Sequence, residues 1–242
     1  MNLSNKAFVL LGGMLFILIL ITQSLGPVMG MSIEASDNQV YIPLVVENSP
    51  QTITAISSVD DGEVLNVYCT NWETCRNAPS SNQFWEGLEV GTVGASFASG
   101  YDFIVQRTFY FFDTSSIPAG AQIIQATLNV YVSEWKNGND TVHVVRSTAD
   151  IPLDTDDFSK FENVSGGSAN PFSPYSWMRI DLDEAALDWI VKGDTTKLAL
   201  IHDFDLNNIE PVGRNDVLMA MSEDSESRPY LEITYALSDV GG

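Results

Sequence analysis

Aromatic rings next to scarce cations are the residues of this chain best placed to do chemistry, and the chemistry they suit is sugar recognition. An exposed ring stacks on the C–H face of a pyranose, while flanking polar groups take its hydroxyls. Three stretches carry that combination. Trp135 and Lys136 lie in SEWKNGND, with Arg146 reading as their neighbour around one hairpin. Tyr175, Trp177 and Arg179 lie in PFSPYSWMR, and Trp85, like Trp72, lies in the loop after Glu63. For each loop tryptophan the competing reading is a cap over the end of a core. For the strand arginines it is pairing with one of the many carboxylates, the preferred reading for Arg107.

Two acidic loops alternate oxygen side chains in a way that suits a hard cation. They are Asp154, Asp156 and Asp157 in DTDD, and Asp203, Asp205, Asn207 and Asn208 in DFDLNN. Ca²⁺ is therefore the one cofactor to consider, although neither loop has the twelve-residue frame with Gly and terminal Glu of a helix–loop–helix site. Solvated turns are the readier explanation. Catalytic patterns are missing: His143 and His202 both fall at strand positions, and there is no G-x-S-x-G, metal-binding His pair or phosphate loop. The chain reads as non-catalytic.

The 32 acidic residues against 11 basic ones give a formal charge of −21. That surface repels nucleic acid and anionic lipid and attracts divalent cations. Its plainest meaning is a solubilising coat. Residues 1–30 join Lys6 to an apolar run from Ala7 to Ile21 and end in small residues, which reads as a secretory signal peptide cleaved before Met31. An uncleaved signal would be the sole tie to a membrane. Secretion or display on the extracellular surface follows, and in that oxidising setting Cys69 and Cys75 are expected to form a local disulfide. Asn139 (NDT) and Asn163 (NVS) fit the N-glycosylation pattern.

Something must position these groups, and the apolar periodicity points to strands. Residues 31–58 read as a linker around one short apolar strand, VYIPLVV (40–46), whose Pro43 restricts it to an edge. In DFIVQRTFYFFD both faces are apolar: Phe103, Val105, Phe109 and Phe111 on one, Ile104, Tyr110 and Phe112 on the other. A strand covered on both faces is expected. AQIIQATLNVYVSEW alternates instead, placing Ile124, Ala126, Leu128, Val130 and Val132 inward and Gln125, Thr127, Asn129 and Tyr131 outward. The Pro118–Gly120 turn joins the two. Further strands are read in TVHVVRSTA, SWMRIDL, KLALIHDF, VLMAMSED and RPYLEITYA. One segment has helical period: DEAALDWIVKG lines up Ala186, Leu187, Ile190 and Val191, with Gly193 as its stop and Trp189 assigned to the core. The expected fold is all-β, an antiparallel β-sandwich over residues 59–236 with one short covering helix and a 237–242 tail.

Four blocks in this order, FDTSSIPAGAQIIQATLNVYV, WMRIDLDEAALDWIVKG, LALI and SEDSESRPYLEITY, resemble the DNRLRE-type domain, grouped as family 96 of the carbohydrate-binding modules. The resemblance spans about Thr52 to Tyr235. It implies a jelly-roll-like sandwich that accompanies secreted polysaccharide lyases or cell-surface proteins, and that in some members binds acidic polysaccharide. The matching residues, Phe112, Asp113, Pro118, Ala126, Leu128, Asp181, Trp189, Pro229, Leu231 and Tyr235, are those a fold needs. The functional expectation is a secreted, non-catalytic module that binds polysaccharide through exposed aromatics. Its alternative is a self-associating surface or matrix subunit that pairs its 40–46 strand with a neighbour.

Overall fold

The computed structural model describes residues 35–36, 39–40, 49–98, 102–135 and 140–237. The expected signal peptide, Lys136, Asn139 and all of VYIPLVV but Val40 lie outside them. The chain divides into two units, 1–46 and 47–242. In the first, β1 (Ala35–Ser36) pairs antiparallel with β2 (Gln39–Val40).

The second unit is an all-β, antiparallel sandwich formed by one sheet that curls back on itself. Its strands are β3 (Gln51–Ile56), β4 (Gly62–Cys69), β5 (Gln83–Glu86), β6 (Val90–Ala98), β7 (Asp102–Asp113), β8 (Ala121–Trp135), β9 (Val142–Arg146), β10 (Ser168–Ala169), β11 (Ser176–Asp181), β12 (Thr195–His202), β13 (Asp216–Ala220) and β14 (Tyr230–Leu237). The pairing path runs β10-β9-β12-β7-β6-β13-β8-β14-β3, with β4 and then β5 on β7, and β11 on β8. The long strands explain the curl. β7 gives residues 108–113 to β12 and 102–106 to β6, so a single strand serves both layers. β3 belongs to this sheet, with Gln51 opposite Tyr235 and Ile56 opposite Tyr230. The sandwich therefore starts before residue 59, and the boundary expected from composition is too late.

The apolar pattern of β7 yields two cores. Tyr110 and Phe112 face inward with Leu198 and Leu200 of β12, against Leu128 and Val130 of β8, Ile180 of β11 and Ile233 of β14. The opposite face of β7 presents Val105, Phe109 and Phe111 to a second cluster. That cluster is covered by short segments: α1 (Trp72–Arg76), the 3₁₀ turn Thr155–Ser159, and α2 (Asp203–Leu206). Trp72 is thus a cap. Its indole Nε1–H donates to Asn208 Oδ1 at 3.0 Å.

Two expectations are corrected. Ile124 does not point inward, because a bulge lets Thr234 face Gln125 and Tyr235 face Ile123. The skipped residue flips to solvent, and Ile124 is exposed. The covering helix is also shorter than its periodicity suggests, a 3₁₀ turn at Ala186–Trp189. Thr196 Oγ1 accepts from the Val191 N–H, and Thr114 Oγ1 donates to the Val191 carbonyl. Those bonds hold the chain extended where a helix would continue, with Trp189 and Ile190 still buried in the core.

Cys69 and Cys75 are disulfide-bonded across a separation of six residues, closing the loop that carries α1. A bridge over so short a loop stabilises by about 2 kcal/mol through the entropy of the unfolded chain. A Cys69→Ala/Cys75→Ala variant should lose that much in urea unfolding while keeping its far-UV spectrum.

Two buried carboxylates, Asp61 and Glu63, have no ion-pair partner among the described residues. Asp61 accepts from Ser57 Oγ (2.8 Å), Ser222 Oγ (2.9 Å) and the Ser222 N–H (3.1 Å). Glu63 accepts from Gln106 Nε2 and the Thr92 N–H, both at 2.9 Å. Burial dominates these hydrogen bonds and pushes each carboxyl up to about 7.

Candidate functional site

The outer face of the layer made by β11, β8, β14 and β3 gathers aromatic and polar groups, because period-2 alternation sends the intervening residues inward. Trp177 of β11 stands opposite Tyr131 of β8. The next row outward-facing on this side is Arg179, Asn129, Tyr230 and Ile56, and the one after it Asp181, Thr127, Glu232 and Thr54. The rings form a T-shaped chain, with Trp177 5.6 Å from Tyr131 and 5.3 Å from Tyr230. Trp177 keeps 43% of its surface exposed. Thr127 Oγ1 donates to Asp181 Oδ1 at 2.7 Å and Asn129 Nδ2 to the Thr127 carbonyl at 3.1 Å. These bonds hold the polar floor rigid. A shallow groove of about 470 Å³ runs beside Trp177 and Tyr230, edged by Thr54, Arg228, Glu226 and Glu232.

Of the expected sugar-binding residues, the structure brings Trp177 and Arg179 onto this platform. Tyr175 sits just ahead of β11 in a left-handed conformation (φ 56°), largely exposed. Arg146 and Trp85 do not join it. Arg146 is on β9, which pairs with β10 and β12 and not with β8, so Arg146 does not share a hairpin with Trp135. Arg146 pairs instead with Glu162 at 3.2 Å. Trp135 ends β8 opposite Val217. Trp85 is exposed on β5, a strand whose pairing is with β4, beside Phe84. Tyr131, Tyr230 and Arg228 were absent from the expected site. Tyr131 was read as outward-facing, but its meeting with Tyr230 depends on strand order, which alternation does not encode.

The acidic loops have work in the fold. Asp157 accepts from the Asp150 and Asp154 N–H groups, both at 2.8 Å, and Asp154 accepts from the Asp156 N–H at 2.7 Å, closing a capping box. Asp203 accepts from Asn207 Nδ2 at 2.7 Å. Asp205 is buried against Arg107, which reaches it through Nε and Nη2 at 2.7 and 2.8 Å. Arg107 stacks on Phe158, 3.9 Å from the ring centre. The pairing expected for Arg107 is present, and its partner is one of the expected calcium ligands. Among the described residues no group of three His, Cys, Asp or Glu side chains is arranged to hold a metal.

One constellation escaped the sequence reading. His143 stands between Ser165 Oγ, 2.9 Å from Nδ1, and Asp203 Oδ1, 3.0 Å from Nε2. A hydroxyl, an imidazole and a carboxylate in line are the elements of a nucleophile and its base. Ser165 Oγ, however, also donates to the Gly167 carbonyl at 3.2 Å and accepts the Gly167 N–H at 3.3 Å. The chain of three works as a strut tying the 165–167 loop to α2. Compared with known proteins, the chain matches no family and no curated protein.

Proposed function

We propose that this chain is an exported, non-catalytic β-sandwich of the DNRLRE type that binds polysaccharide on the outer face of β11, β8, β14 and β3. The observation that carries the reading is the ring chain Tyr131–Trp177–Tyr230 beside an open groove edged by Arg228 and Glu232. The exposed ring of Trp177, braced edge-to-face by Tyr131 and Tyr230, suits the apolar face of a sugar ring, and the neighbouring cations and carboxylates suit its hydroxyls. Two features favour a neutral or mixed polymer over a polyanion: Asp181, Glu226 and Glu232 sit among the two arginines, and the whole chain carries −21.

Native affinity electrophoresis through gels holding neutral and acidic polysaccharides, with calcium and with chelator, tests this. Retardation by one polymer is expected, weakened about 10-fold or more in Trp177→Ala, the scale of a central aromatic contact. Trp85→Ala should leave it unchanged. Equal retardation of Trp177→Ala and wild type would remove the platform from the account. No retardation by any polymer would favour self-association through residues 40–46, for which deletion of that segment and sedimentation of the product is the direct check.

A further inference from the structure

We propose a second binding site, separate from the platform, for a small hydroxy-carboxylate in the cavity between α1, β7 and the 159–163 segment. The cavity holds about 280 Å³ and is lined by Arg76, Asn77, Arg107, Ser159, Phe161 and Asn163. Water takes about 30 Å³ per molecule in the liquid, so the space suits a molecule of a few carbons.

Charge is the first argument. Two guanidinium groups meet one carboxylate here: Asp205 is bound by Arg107 at 2.7 Å and lies 3.4 Å from Arg76 Nε. The side chains of Arg107 and Arg76 are 2% and 13% exposed. Their remaining partners are neutral, namely the carbonyls of Phe158, Arg76, Asp205 and Leu206 and the amide of Asn77. The neighbouring acids are engaged elsewhere: Glu73 accepts from Asn77 and Asn208, Glu162 pairs with Arg146, and Asp157 accepts from backbone N–H groups. A buried cation without its own counter-ion favours a bound anion. Its presence in a chain of net charge −21 makes the local excess more telling.

Donor accounting is the second argument. A guanidinium has five N–H donors. Arg76 makes three bonds and Arg107 four, so two remain on the first and one on the second. Planar forks fit a carboxylate well, and the surrounding negative field penalises a dianion such as phosphate more than a monoanion. Ser159 and Asn163 add hydroxyl and amide groups at the mouth. Ser159 Oγ donates to the Pro79 carbonyl at 2.9 Å and so keeps acceptor capacity for a ligand hydroxyl.

The test is isothermal titration of the full chain, made in a host without N-glycosylation, with D-gluconate. D-Sorbitol, the same skeleton without the carboxylate, and inorganic phosphate are the comparisons. Gluconate should bind and sorbitol should not. Asn163→Asp places a negative charge at an exposed rim position with no demand on the core, and should weaken gluconate at least 10-fold with an unchanged melting temperature. Arg76→Gln should weaken it similarly, and Trp177→Ala should leave it intact. Absence of gluconate binding, or binding indifferent to Asn163→Asp, overturns the site. Phosphate binding as tightly as gluconate overturns the assignment to carboxylates.

Discussion

Arg107→Met is expected to destabilise the sandwich by about 3–5 kcal/mol, the range for removing one member of a buried ion pair. The reason is geometric. Arg107 interrupts the apolar face of β7 at the centre of the second core, and its guanidinium joins the three short covering segments: Asp205 of α2, the Arg76 carbonyl of α1 and the Phe158 carbonyl of the 155–159 turn. With the guanidinium gone, Asp205 is left buried with Arg76, 3.4 Å away, as its sole ionic contact among the described residues. Asp205→Asn should be of similar severity. The double variant Arg107→Met/Asp205→Leu should recover much of the loss, because it removes both charges instead of stranding one. Urea unfolding of the three variants measures this. If Arg107→Met cost less than about 1 kcal/mol, the guanidinium would not be what holds the covering layer.

A second large effect is in pH. Asp61 and Glu63 have ordinary carboxyl values of 3.8 and 4.5 in the unfolded chain and about 7 when folded. Below about pH 4 both states hold these protons, and the stability they contribute is fully present. As pH rises the unfolded chain releases its protons first, so the folded state, which still holds them, loses relative stability until about pH 7. Above that the contribution is flat. Each group alone accounts for a fall of about 3–4 kcal/mol over this window, from 1.36 kcal/mol per pH unit. The urea midpoint should therefore be higher at pH 5 than at pH 8. Glu63→Gln should raise stability at pH 8 and reduce the slope, since Gln106 can turn its amide to accept from the new side chain. A midpoint that rises from pH 5 to pH 8 would contradict the burial of these two acids as the dominant pH-sensitive feature.

The layered core was legible because β7 carries apolar residues on both faces, Val105, Phe109 and Phe111 on one and Tyr110 and Phe112 on the other, a pattern that a doubly covered strand needs. The alternation of β8 was equally clear from Ala126 to Val132. Its first turn was not: the bulge at Ile124 arises from pairing with β14, about 110 residues away in sequence, and nothing local announces it. The helical period of 183–193 was real but lost to hydroxyls at Thr114 and Thr196, which offer the backbone of Val191 better partners than another helical turn. At the candidate site, Trp177 and Arg179 were found because two residues of one strand share a face whatever its neighbours are. Arg146 was misplaced for the opposite reason. Adjacency in sequence suggested a hairpin with Trp135, and strand order is a property of the whole sheet.

The pairing of β3 with β14 bears on when the molecule can take shape. Gln51 and Tyr235 are bonded side chain to side chain across 184 residues, and β14 lies between β8 and β3, so neither gains its partner in this layer until β14 has been made. Until it arrives, that edge of β8 is unpaired. A chain cut short before β14 would therefore hold an open layer, with β3 lacking its strand partner.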